Sequence, residues 1–317
     1  MASLSPKFQR VIAALHGQEV DRVPVSAWGH DFLQEWSPQG LATATLNAYR
    51  AYDWDYIKIN PRATYYAEAW GARYRPSGNA EQGPELERPG VASPADLRRI
   101  KRVDVGKGPF AEQLEALRLI SRDLDGEAPF LQTVFTPLAV LSRLTGNSDT
   151  VRTFFREHPD DLLPAVEAIA ETLADYTAAC LEAGASGIFL ATVEWGNYND
   201  ITEEEFDRWV RPYDLRILAA VRAAPFNILH VCRNHNQLLR LLDYPVHAFH
   251  WAANAPGNPS LQGVAGLTDK AVMGGVDQTA TLVSGSTTDV VHEAQIAIAQ
   301  TGGRRFLLAP GCSIPPA

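Results

Sequence analysis

Three cysteines in 317 residues are too few, and odd in number, for a disulfide framework. Cys180, Cys232 and Cys312 are therefore read for metal binding or catalysis. No run approaches the roughly 18 consecutive apolar residues that cross a bilayer. The N-terminal MASLSPKFQR lacks the apolar stretch of a secretory leader. Both absences point to a cytoplasmic chain without a membrane partner. Positive charge is scarce as well: 28 Lys plus Arg stand against 37 Asp plus Glu, a net charge of −9. That balance excludes nucleic acid and anionic lipid as main partners and leaves a small-molecule substrate open. There is no internal repeat, low-complexity tract or linker. Residues 75–94, rich in Gly, Pro and Glu, read as an excursion and not as a boundary. Residues 1–317 are thus expected to form one domain, long enough to bury a large core.

What is present is an alternation of short β-rich runs and long amphipathic segments. The runs cover residues 23–27, 54–60, 129–135, 187–193, 226–231, 246–251, 271–276 and 305–309. Helices are expected over 159–183, 203–221 and 288–301. Leu162, Val166, Ile169, Leu173 and Tyr176 recur at helical spacing in the first. Asp149, Asp160, Thr202 and Thr288 stand where N-caps belong, and Gly184 and Gly302 where helices stop. Eight strands with helical crossovers predict a (β/α)₈ TIM barrel, with a doubly wound sheet as the rival. The barrel is favoured because polar residues follow the strand C-termini, the rim that carries active sites in such barrels. An open sheet would use the same ends.

The sharpest pattern is His230-Val231-Cys232 with Cys312 near the end of the chain. Residues i and i+2 of a strand share a face, so His230 and Cys232 point to the same space. Cys312, in a Pro-Gly-Cys turn after the last strand, can reach it. One imidazole and two thiolates suit a tetrahedral zinc with an open fourth position. The plainer alternative is a buried histidine with two unrelated thiols.

These residues occur among longer stretches: RVIAALHGQEVDRVPV, EAWG, FTPLAVLSRLTG, EAGASGIFL, ITEEEFDRWVRPY, ILHVCRN and PGCSIPP. In this order and spacing the chain resembles, over nearly its whole length, the uroporphyrinogen decarboxylase superfamily. Within it the likeness is to the zinc-dependent corrinoid methyltransferases of the methylcobalamin:coenzyme M type. The resemblance implies the (β/α)₈ barrel, and zinc on His230, Cys232 and Cys312. It also implies methyl transfer between a corrinoid such as methylcobalamin, carried on a partner protein, and a small thiol or methylated substrate. The decarboxylase branch carries Arg-Gln-Ala-Gly-Arg after the first strand, where this chain has Ser26-Ala27-Trp28-Gly29-His30-Asp31. Its Phe-Ser-Asp is replaced near Ile59-Asn60-Pro61, and its Gly-His-Gly by Gly311-Cys312-Ser313. Two further functions stay open: decarboxylation of a porphyrinogen or another acid, and a non-catalytic accessory barrel for corrinoid proteins. The methyltransferase pattern has Gly-Asn after its second ligand, where Arg233-Asn234 stands here, and adds a final helix after Ile-Pro-Pro, which this sequence does not show.

Other rim residues take roles by position. Glu194 is a candidate fourth ligand or base for a thiol proton, and His30 a candidate catalytic group. Asn60, Asn197, Arg233, Trp251 and Asp277 are candidate substrate contacts, Arg233 for an anionic group. Each has a structural alternative: rim charge, turn-shaping asparagine or packing aromatic. His250 is placed at the pocket, Cys180 in a helix core and His235 at the surface. The oligomeric state is left open.

Overall fold

Parallel pairing organises the chain, seen in a computed structural model that describes residues 4–316. Residues 1–3, at the start of the segment read for a leader, and Ala317 lie outside the described residues. The strands are β1 (Ile57–Lys58), β2 (Arg73–Arg75), β3 (Glu85–Arg88), β4 (Phe130–Phe135), β5 (Gly187–Ala191), β6 (Ile228–His230), β7 (Ala248–His250), β8 (Ala271–Val276) and β9 (Phe306–Pro310). Seven of them form one curled parallel sheet in the order β1-β4-β5-β6-β7-β8-β9. The excursion read over residues 75–94 holds most of the antiparallel hairpin β2–β3, which begins two residues earlier at Arg73.

Eight sheet strands were expected, and the first, residues 23–27, is not a ladder. Val25 pairs with Leu308 in parallel register. Around that pair, Leu308 N–H donates to the Pro24 carbonyl at 2.9 Å and Ser26 N–H to the Leu308 carbonyl at 3.3 Å. On the other flank, Asp55 N–H donates to the Val25 carbonyl at 2.9 Å. Pro24 has no N–H to give, which keeps the segment from extending as a regular strand.

Side chains alternate as a parallel sheet covered on both faces requires. Leu131, Phe189, Ile228, Ala248, Ala271, Met273 and Leu307 pack on the concave side, against Val11 and Leu15. Those two come from the helix Pro6–Leu15. The alternate residues Ile188, Leu190, Leu229, Phe249, Val272 and Phe306 pack outward into the layer of helices. The helix Pro159–Glu182 ends where Gly184 was expected to stop it, Gly184 taking φ 102°. The helix predicted over 203–221 is two, Glu203–Trp209 and Arg211–Ala220, broken at Val210. Pro212 cannot donate to the preceding turn, which accounts for the break. Thr202 caps as expected, in a capping box with Glu205. The other caps shift to Asn147, His158 and Ser286, because those residues directly precede the first helical turns. Gly302 ends the helix Thr287–Thr301 in the left-handed conformation. Among the described residues, no helix is long and apolar enough to cross a membrane.

Asp55, fully buried, ties the N-terminal segment to the sheet. It accepts from Arg10 at 2.7 Å, from Arg22 at 2.5 and 2.9 Å, and from Val25 N–H at 2.9 Å. Removing a buried charge that satisfies several partners costs about 3–5 kcal/mol. Asp55→Ala should lower the unfolding free energy by roughly 3 kcal/mol in urea titrations, and an unchanged midpoint would show that the segment is held by other contacts.

Candidate metal centre

The alternation that buries Ile228 on the concave face also brings His230 and Cys232 to it. Cys312 reaches the same point because Pro310 ends β9 and the chain then turns. Gly311 N–H donates to the Val276 carbonyl at 3.0 Å, pinning the turn. A Cβ on Gly311 would lie 2.6 Å from Gln278 Oε1 and 2.7 Å from Ala252 Cα, so a larger residue would push the loop away. The donor atoms of His230, Cys232 and Cys312 all lie within 4.8 Å of one another, a spacing that can hold a metal ion. Cys312 Sγ is 3.6 Å from His230 Nε2.

The orientation of His230 is set from behind. His250 Nε2 lies 2.8 Å from the Pro310 carbonyl oxygen, which can only accept, so the proton belongs on Nε2. His250 Nδ1 then accepts from His230 Nδ1–H at 2.7 Å. This leaves the His230 Nε2 lone pair facing the sulfurs. Burial, with the adjacent His230, holds His250 well below the usual imidazole range, hence neutral. Phe189 stacks on His230 at 5.1 Å. The two thiols form a coupled pair. The hydrogen bond to Cys312, with burial, pushes Cys232 up. The hydrogen bond from Cys232 pulls Cys312 well down against the cost of burial, with His230 adding to it. One imidazole and two sulfurs thus converge on one point. That donor set fits a soft divalent ion. Val193 and Arg233, flanking the centre, take φ 52° and 73°, strained values for residues with a Cβ, of a kind that clusters at functional sites.

Two cavities meet at this centre. An inner pocket of about 110 Å³ is lined by Trp28, Tyr66, Phe135 and Phe189, with His30, Lys58 and Asn60. A larger vestibule of about 630 Å³ is lined by Arg233, Ala252, Pro256, Asp277 and Gln278. His230, Cys232, Cys312, Val193 and Ser313 line both and so form the wall between them.

The remaining predicted residues divide. His30 lines the inner pocket, its Nδ1 2.7 Å from Glu35 Oε1. Arg233 and Asp277 line the vestibule. Asp277 also accepts from the N–H groups of Thr279 and Ala280 at 2.7 and 2.9 Å. Those bonds hold its carboxyl below the usual range, burial notwithstanding. Glu194 stands outside the donor group and is clamped by Arg143 at 2.7 and 2.9 Å. Asn60 lines the pocket, but its amide is engaged: Oδ1 accepts from Lys58 and Nδ2 donates to Ser313 Oγ at 3.2 Å. Asn197 shapes its own loop, donating to the Glu194 carbonyl at 2.9 Å and to Asp200 at 2.8 Å. Trp251, expected at the pocket, faces the outer layer and donates to the Pro259 carbonyl at 2.8 Å. Strand alternation gives the inward place to His250 instead. Cys180 is buried in the helix Pro159–Glu182, and burial pushes its thiol up. His235 is exposed.

Lys58 and Glu35 escaped the sequence reading. Lys58 shares its strand face with Tyr56 and Asn60, and a charged residue at the centre of that i, i+2, i+4 set was the available signal. Burial pushes its ammonium down to about 8, although Cys312, Cys232 and Glu35 pull the other way. Glu35 lies in a loop without periodicity.

The family model described as uroporphyrinogen decarboxylase (URO-D) matches residues 6–317. A methylcobamide:CoM methyltransferase of Methanosarcina acetivorans is 23% identical, the alignment covering 99% of this chain and 94% of the relative. A uroporphyrinogen decarboxylase of Syntrophotalea carbinolica is 24% identical over 65% of this chain and 59% of its own length. The structure of a methyltransferase from Methanosarcina mazei superposes with a TM-score of 0.81 at 22% identity, covering 99% and 94% of the two chains. A B12-independent methionine synthase from Shewanella sp. gives 0.57 at 13% identity over 88% and 81%.

The histidine relay makes a prediction. Partners that orient a metal-binding histidine are worth about 10–100-fold in metal affinity. His250→Phe keeps a ring in place but removes both nitrogens, and should weaken zinc binding by that factor in chelator competition. Affinity equal to wild type would mean that packing and the His250 backbone carbonyl, 3.3 Å from His230 Nδ1, suffice to orient the ring.

Proposed function

The chain belongs to the uroporphyrinogen decarboxylase family, and on that premise we propose that it is a zinc-dependent methyltransferase. It would move a methyl group between a corrinoid, carried by a partner protein, and a small substrate held in the inner pocket. The observation that carries this reading is the meeting of one oriented imidazole and two thiols between two cavities. The full-length likeness to proteins named methylcobamide:CoM methyltransferases supports it. The proposal includes closure of the curled sheet into an eight-stranded barrel by residues 23–27. The hydrogen bonds of that segment to Leu308 on one side and Asp55 on the other support closure.

His230, Cys232 and Cys312 would hold the zinc. Bound there, it would supply Lewis acidity, holding a thiol as thiolate at neutral pH or polarising the oxygen or nitrogen that bears a methyl group. The His250–Pro310 relay keeps the His230 lone pair aimed inward. Trp28, Phe135 and Phe189 exclude water from the substrate side. His30, with Nδ1 engaged by Glu35, keeps Nε2 for a proton of the substrate. Glu194 would have to leave Arg143 to act as ligand or base. With the ion pair intact it acts on Cys232 through charge, opposing ionisation of the thiol. Arg233 and Asp277 line the vestibule, the side from which the corrinoid on its partner would approach. In the thiol direction, the substrate sulfur would give up its proton to His30 Nε2 and take the methyl group in a new carbon–sulfur bond; the methylated corrinoid would supply that methyl and keep the electron pair of the carbon–cobalt bond. A uroporphyrinogen decarboxylase is also among the relatives, but no arginine stands in residues 26–31, where the decarboxylase pattern carries two, and this favours methyl transfer.

Purified protein should carry about one zinc per chain. His230→Ala, Cys232→Ser and Cys312→Ser should each lower that content sharply, and Cys180→Ser should leave it unchanged. Circular dichroism of the zinc-free protein should stay native, because a core this large needs no metal to fold. The zinc-loaded protein should demethylate methylcobalamin with at least one thiol, followed by absorbance. Full zinc without transfer to any thiol, or from any methylated oxygen or nitrogen compound to cob(I)alamin, would contradict the activity.

A further inference from the structure

We propose that Lys58 is an anion receptor at the inner end of the pocket, and that the pocket takes a small aromatic acid with its carboxylate on Lys58 and its other end toward Cys232 and Cys312. The inference rests on the reading above that the inner pocket is the substrate site.

Lys58 projects from the concave face of β1 and is 8% exposed. An ammonium has three N–H donors. Among the described residues only Asn60 Oδ1 accepts one, and no carboxylate lies within ion-pair distance. The other partners are ring faces: Nζ lies 5.1 Å from the centre of Phe189 and 5.8 Å from that of Trp28. Such contacts offset part of the cost of burying a cation but leave two donors open in a cavity. A lysine serving only to fill the sheet would be matched by a carboxylate or replaced by an apolar residue of similar length. An anionic group on the ligand supplies the missing partner, with the added strength of a charge-assisted bond in a site shielded from water.

The walls choose the body of the ligand. Trp28 and Phe189 meet edge to face at 5.7 Å, and Tyr66 and Phe135 stack at 5.0 Å, and all four line the pocket. Rings of this kind accept another ring by offset stacking or edge contact. A cavity of about 110 Å³ limits the ligand to roughly a single substituted ring. Asn60 couples the two ends, since it holds Lys58 by one side of its amide and Ser313, next to Cys312, by the other. A ligand gripped at Lys58 is thereby registered against the cysteine loop.

Calorimetry on the full, zinc-loaded chain tests this without turnover. The probes are 4-methoxybenzoate, its neutral isostere 4-methoxybenzamide, and the alkyl acid 3-mercaptopropanoate, with wild type, Lys58→Met and Lys58→Gln. The acid should bind wild type at least about tenfold more tightly than the amide, as expected for one charge-assisted bond. Both variants should lose that preference while keeping wild-type zinc content and circular dichroism. If one variant fails to fold, the other decides. Equal binding of acid and amide by wild type, or a preference kept in a folded variant, overturns the proposal. Tighter, Lys58-dependent binding of 3-mercaptopropanoate than of 4-methoxybenzoate overturns the aromatic assignment. Lys58-dependent binding of the aromatic acid without any methyl transfer upholds the receptor and counts against the activity proposed above. Methyl transfer without a charge preference sinks the receptor alone.

Discussion

The register of four consecutive parallel strands is the constraint on which the rest depends. Residue by residue, β6 to β9 place His230 beside His250, His250 beside Met273, and Val276 beside Pro310. A slip by one residue would turn His230, His250 and Met273 to the helical layer. Because the register holds, a backbone carbonyl at the end of β9 fixes the proton of one histidine, which fixes the other, which presents its free nitrogen to two sulfurs. The turn after Pro310 then has to deliver Cys312 at the same level, and the tight space at Gly311 ensures it.

The position of this centre explains the unequal cavities around it. The apolar pocket inside the curl is bounded by aromatic rings and one buried cation, while the vestibule is larger and more polar. A reaction that joins a small molecule to a bulky co-substrate needs one reactive point reachable from both sides. A wall built from His230, Cys232, Cys312 and Ser313 provides that. The fold alone would not argue it, since barrels and half-barrels of this kind host many chemistries.

Much of this was legible from residue order. The i, i+2 spacing of His230 and Cys232 carried their common direction, and apolar runs marked seven of the sheet strands. The misses have local causes. The first run was read as a strand although Pro24 interrupts its donors. The helix over 203–221 was read through Pro212. Trp251 was assigned to the pocket because it ends a strand, when the alternation that puts His230 inside also puts His250 inside and Trp251 out. Asn197 and Glu194 were chosen by place in the chain, and their engagement with Asp200 and Arg143 depends on contacts that sequence does not show. Lys58 was overlooked inside a hydrophobic run, where the strand period was read for its apolar members only.

X-ray absorption at the zinc edge of the purified protein measures the central claim directly. A centre built from His230, Cys232 and Cys312 requires two sulfur scatterers at about 2.3 Å and one imidazole nitrogen at about 2.0–2.1 Å, with a light atom in the fourth position. Replacing Cys312 with serine should remove one sulfur from that shell. A shell of oxygen and nitrogen only, or a spectrum unchanged by Cys312→Ser, would contradict it.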